Sequence, residues 1–158
     1  MNFYSIFAAA FASLLIGFVY YNPKVLGNIW MRKSKIPFEP NNKPNMIKML
    51  SLHFICAFFI AFMLQFLIIH QTGAMGMIGG DPSKALPSYI TFMNDYGTAF
   101  RTFKHGALHG TMVGVLLIVP LFGITALYEG RGFKYVMVAS GYWVISCAVM
   151  GAIICGWV

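Results

Sequence analysis

Apolar residues in this chain come in four long runs, separated by short stretches that carry nearly all the charge. No Asp, Glu, Lys or Arg occurs between Met1 and Pro23, between Met49 and Gly80, between His105 and Tyr128, or between Tyr135 and Val158. Each run holds the ~20 residues that a helix rising about 1.5 Å per residue needs to cross a hydrocarbon core of about 30 Å. The pattern predicts membrane-spanning helices near residues 3–21, 46–69, 106–127 and 135–157. A barrel would need alternating segments of about ten residues, and the chain has none. The expected fold is an all-α integral membrane protein, a four-helix transmembrane bundle forming a single domain over residues 1–158.

Composition supports the same reading. Of 158 residues, 59% are hydrophobic and 9% charged, with a mean hydropathy of +0.73. A soluble domain carries about 25% charged residues, because its surface must face water. The first run lacks a basic start and continues past Ala8-Ala9-Ala10, so it reads as a span rather than a cleaved signal peptide. The net charge of +7 is spread beside the spans and forms no separate basic domain, which argues against nucleic acid as a partner.

Lys and Arg in the connections predict the orientation. Loop 22–45 holds Lys24, Arg32, Lys33, Lys35, Lys43 and Lys48 flanks it, while loop 128–134 holds Arg131 and Lys134. Loop 70–105 holds Lys84, Arg101 and Lys104, partly offset by Asp81 and Asp95. Positive charge stays cytoplasmic, so loops 22–45 and 128–134 are expected inside, with both termini outside. In the first loop, Tyr20-Tyr21-Asn22-Pro23 ends the first span, and Trp30, Met31 and the basic cluster suggest a short segment on the anionic inner leaflet. Pro37, Pro40 and Pro44 should break the stretch that follows. In the outer loop, Gly73 to Gly80 is expected to be flexible or tightly turned. Asp81-Pro82 resembles an N-cap and first helical position, opening a short amphipathic helix through Leu86, Tyr89, Ile90 and Met93. Gly97-Thr98 should end that helix and cap the next.

Inside lipid, helices associate through small residues and hydrogen bonds. Every span carries a small-residue ladder at spacing four: Ala9/Ser13/Gly17, Ala57/Ala61, Gly106/Gly110/Gly114 and Ala148/Ala152/Gly156. The doubled GxxxG of Gly106, Gly110 and Gly114 is the most specific, a helix-packing face for use within the bundle or between protomers. Cys56, Cys147 and Cys155 all fall within spans and read as small packing residues. Pro120 should kink the third span, leaving a carbonyl near Leu116 and Met112 to line a small cavity.

Polar residues at membrane depth are the candidate functional groups. His53 and Gln65 share one face of the second span, and His105 and His109 stand one turn apart on the third, beside the glycine ladder. Tyr142 is a candidate hydrogen-bond donor to His53, and Glu129 should pair with Arg131 or Lys134. His70, His105 and His109 all belong to the outer half and are candidate metal ligands if the fold brings them together. They could instead serve proton relay or simple interhelical hydrogen bonding. No Asp or Glu lies within a span, which weakens a proton-coupled exporter. The chain has no phosphate-binding glycine loop, nucleophile elbow or HExxH, so no enzyme activity and no cofactor are expected.

Several segments resemble one small bacterial membrane-protein family. They are Gly17-Phe18-Val19-Tyr20-Tyr21-Asn22-Pro23 with Gly27 and Trp30-Met31, the run Arg101-Thr102-Phe103-Lys104-His105-Gly106-Ala107-Leu108-His109-Gly110, and the last-span elements Gly141-Tyr142-Trp143 and Met150-Gly151-Ala152. The family is domain of unknown function 1761, and the resemblance covers essentially the whole chain. It implies a four-span protein of the bacterial inner membrane and assigns no residue a role. The first functional expectation is a structural or accessory subunit, packing as a homo-oligomer or in a larger membrane complex through its glycine faces. The alternatives are a small transporter or channel lined by Gln65, His105 and His109, and a metal- or haem-binding subunit using His70, His105 and His109.

Overall fold

The computed structural model describes residues 2–36 and 45–158, and no strand occurs among them. Its helices are α1 (Phe3–Tyr20), α2 (Asn28–Ser34), α3 (Met46–Ile68), α4 (His70–Met77), α5 (Pro87–Tyr96), α6 (Phe103–Val113), α7 (Val119–Tyr128) and α8 (Phe133–Gly156). A π-helical turn, Gly114–Ile118, joins α6 to α7 in one continuous rod. Four helices are long and apolar enough to cross a membrane: Phe3–Tyr20, Met46–Ile68, Phe103–Tyr128 and Phe133–Gly156. The protein is a multi-pass, all-α membrane bundle.

Side-chain caps set three of the four span starts. Asn2 accepts from the Ser5 amide at 3.3 Å, Asn45 from Lys48 at 3.1 Å and Thr102 from His105 at 3.1 Å. Each supplies an acceptor to a donor that the first helical turn leaves unpaired.

Helix α8 is the central element. Half of its most apolar window (50%) is buried, against 17% for Phe103–Tyr128, which packs chiefly on α8 and leaves Leu116, Leu121 and Leu127 facing outward. Small residues permit this central position. Cys147, Gly151 and Cys155 present little bulk to α6, and α6 answers with its glycines. A Cβ on Gly106 would overlap the Gly151 carbonyl, and one on Gly110 would overlap the Cys147 carbonyl. One on Gly114 would lie 2.7 Å from Val144 Cα. The glycine ladder is therefore spent inside the bundle, on α8, and offers no face to a second protomer. The main core gathers Ile6, Ala9, Ala61, Leu64, Met150 and Ile154 from α1, α3 and α8.

Several local expectations need correction. The turn at Asp81-Pro82 is only a 3-10 turn, Pro82–Lys84, in which Asp81 accepts from the Ser83 amide and hydroxyl, holding its carboxyl below the usual range. The amphipathic helix of loop 70–105 begins instead at Pro87, again with proline in the first turn. Thr102, not Thr98, caps α6. The Gly-rich stretch after His70 winds into α4 before turning at Gly79 and Gly80, both at positive φ. Pro120 follows a π turn that bonds the Val119 amide to the Gly114 carbonyl, and Met112 and Leu116, expected to line a cavity, are instead exposed. Cys147 and Cys155 are buried, but Cys56 faces outward and fills no packing role. Pro37, Pro40 and Pro44 lie outside the described residues.

Candidate metal centre

The second span does not run smoothly into loop 70–105. Ile69 adopts an extended conformation (φ −90°, ψ 104°) between α3 and α4, and the Thr72 hydroxyl secures the break by donating to the Ile69 carbonyl at 2.6 Å. The helix restarts at His70, turned so that its ring meets α6. On α6, His105 and His109 are four residues apart and therefore lie one above the other on one face. Close packing of the neighbouring glycines on α8 fixes where that face points.

The result is a cluster of three imidazoles. His105 Nε2 lies 2.9 Å from His70 Nε2, and one ligand atom from each of His70, His105 and His109 falls within 4.8 Å of the others. Ring centroids are 4.4 Å apart for His105–His109, 5.0 Å for His70–His105 and 5.1 Å for His70–His109. His70 is exposed and the other two are half-buried, so the cluster opens at the end of the bundle that carries α4 and α5. Three neutral imidazoles supply the lone pairs that a tetrahedral ion with one open position takes from protein, at ~2 Å per bond.

A supporting shell surrounds the triad. Phe100 stacks on His105 (5.1 Å, 29°) and meets His70 edge-on (6.0 Å, 88°). Its φ of 63° is left-handed, a costly conformation for a residue with a bulky side chain. Neighbouring bonds hold it there. Arg101 donates to the Cys155 carbonyl at 3.0 Å and the Trp157 carbonyl at 3.2 Å, capping the end of α8, and Cys155 Sγ donates to the Phe100 carbonyl at 3.4 Å. Gln71 Nε2 donates to the Tyr96 and Ala99 carbonyls at 2.8 and 2.9 Å, while its Oε1 is buried without a partner. Sequence reasoning missed the roles of Gln71, Phe100 and Arg101. Arg101 entered only as a loop charge, although it opens the run that carries the family resemblance.

The remaining candidates lie apart. Gln65 is 2% exposed on α3, buried rather than lining an opening. His53 belongs to a second cluster nearer the other end. Its Nε2 is 3.0 Å from Tyr142 Oη and 3.4 Å from Ser13 Oγ, and its ring stacks on Trp143 at 6.2 Å. Tyr142 Oη also lies 3.0 Å from the Ser13 carbonyl and Ser13 Oγ 2.8 Å from the Ala10 carbonyl, so the imidazole joins a network of hydroxyls and carbonyls across α1, α3 and α8. The expected contact between His53 and Tyr142 is present, and the tautomer of the ring sets which of the two donates. Glu129 meets Arg131 at 3.0 Å, away from His53.

No curated protein and no solved structure matches the chain. The model of the family described as protein of unknown function (DUF1761) matches residues 4–155, nearly the whole chain, and the protein belongs to that family.

Proposed function

We propose that this protein binds a divalent transition-metal ion, of the zinc and copper kind, through His70, His105 and His109. The observation that carries the reading is the convergence of three imidazoles from two separate helices, α4 and α6, with ligand atoms within 4.8 Å. Lone pairs crowded this closely repel one another unless a proton or a cation lies between them. Three nitrogen ligands and no carboxylate favour zinc, copper or nickel over magnesium or calcium. The excess of Lys and Arg in loops 22–45 and 128–134 supports a cytoplasmic membrane with both termini outside, so the site would face the external medium. Partial exposure leaves a position for water or a passing ligand. The role is capture or presentation of an ion at the membrane surface, without catalysis.

The accessory-subunit reading loses its main support, since Gly106, Gly110 and Gly114 are occupied by α8. The transport reading is less favoured, because Gln65 is enclosed in the core, apart from His105 and His109. The test uses the full chain in mild detergent, titrated with Co2+ as a visible reporter and then with competing Zn2+. One saturable ion per chain, lost in His105→Ala and His109→Ala and retained in His53→Ala, is expected. Absence of saturable binding, or equal binding in the His105 and His109 variants, overturns the reading.

A further inference from the structure

Basic side chains at the edge of a membrane bundle either find carboxylates, cap helix ends, or stay available for the phosphates of anionic lipid. At the end carrying α2 and the α7–α8 turn, the first two uses are accounted for. Arg131 pairs with Glu129 at 3.0 Å and lies 4.6 Å over the Tyr135 ring. Lys35 donates to the Gly130 carbonyl at 2.7 Å, closing the α7–α8 turn. Arg32, Lys33, Lys134, Lys24 and Lys48 remain, and none has an ion-pair partner among the described residues; the first three gather between α2 and α8.

These three side chains surround one groove. It is an open cleft of ≈ 640 Å³ between α2 and α8, with Ile29, Phe133 and Met137 along its apolar wall. Phe133 is 74% exposed and Met137 51%, so an aqueous setting would leave a large apolar surface uncovered directly beside three cations. The cleft is held open by fixed elements. Trp30 packs against Ala126, Tyr135, Val136 and Ala139, and Ser34 is buried, donating to the Met31 carbonyl at 3.0 Å. Helix α2 is thus docked on the bundle, with Arg32 and Lys33 exposed.

We propose that this groove binds one anionic phospholipid of the surrounding bilayer, its phosphate held by Arg32, Lys33 and Lys134 and an acyl chain lying along Phe133 and Met137. The pairing of three unmatched cations with an adjoining apolar wall fits a ligand that is anionic at one end and aliphatic at the other. A zwitterionic lipid presents a compensating ammonium and gains little from the cations, and a free phosphate leaves the wall bare. The inference is independent of the histidine triad, which lies at the opposite end of the bundle.

The test is native mass spectrometry of the full chain released from vesicles of mixed phosphatidylglycerol and phosphatidylcholine, with Arg32→Gln/Lys33→Gln/Lys134→Gln beside it. A second triple variant, Lys24→Gln/Lys48→Gln/Lys104→Gln, removes equal charge elsewhere. The expected result is one retained phosphatidylglycerol per chain, with retention reduced about tenfold or more in the groove variant only. Charge-conserving Arg32→Lys/Lys134→Arg should retain it, which separates loss of charge from misfolding. Equal retention of phosphatidylcholine, equal losses in both triple variants, or unchanged retention in the groove variant overturns the proposal. So does displacement of the lipid by millimolar inorganic phosphate alone, since the apolar wall would then contribute nothing.

Discussion

The two histidine clusters are built from the same residue type on the same helices' neighbours, yet their hydrogen-bond accounting differs. Around His53, the facing groups are hydroxyls that can donate as well as accept: Tyr142 and Ser13 stand 3.0 and 3.4 Å from Nε2, with the Ser13 and Ala10 carbonyls beside them. Whichever tautomer the ring adopts, that nitrogen has a complementary protein partner. Around His70, His105 and His109, nitrogen faces nitrogen at 2.9 Å, and at most one proton can sit in that contact. A cluster with matched donors and acceptors holds helices together. One with surplus lone pairs, open to the outside, is suited to a cation.

The contrast can be broken most severely at its foundation. Gly110→Leu should force α6 off the Cys147 carbonyl, costing about 3 kcal/mol or more and removing the histidine face from its position. Thermal unfolding in detergent and the size-exclusion profile would show it; a stable, monodisperse variant would mean that the bundle does not depend on this close approach. Next in size, His105→Ala or His109→Ala should weaken metal binding by at least about 100-fold, since each removes one of three ligands. His53→Ala is the matching control, and an equal loss of metal there would erase the distinction between the clusters. Tyr142→Phe should act in the opposite sense, costing about 1 kcal/mol of stability by stripping partners from His53 and the Ser13 carbonyl. Metal titration of that variant should match the parent protein. The smallest effect is expected from Gln71→Ala, which frees the Tyr96 and Ala99 carbonyls and loosens the segment leading to Phe100. It should lower metal affinity by only a fewfold, ~0.5 to 1 kcal/mol, with global melting nearly unchanged. A larger drop would place Gln71, with its unpartnered Oε1, closer to the ion than its present bonds indicate.

The spans were legible because lipid imposes a harsh rule: a helix crossing it needs a long apolar run and excludes charge. Local breaks were less so. Ile69 is an ordinary strand-compatible residue with no glycine or proline beside it, and nothing in its identity announces an extended kink between two helices. Glycines at 73 and 76 suggested a loose turn, yet α4 forms because its first turn is anchored against α6 through His70. Asp81-Pro82 carried the right chemistry for a helix start, and Pro87 carried the same proline signal five residues later. Local preference alone could not choose between them.

By itself the sequence determined the class of the protein, the number of membrane helices, the glycine stripe on the third span and the stacked pair His105–His109, because all depend on residue spacing along one helix. Tertiary structure decided which helix the glycines meet, that His70 completes the triad and Gln65 does not, and that His53 is tied to Tyr142 and Ser13. Those outcomes depend on the rotation and approach of separate helices. Packing fixes both, through close carbonyl contacts that only glycine tolerates.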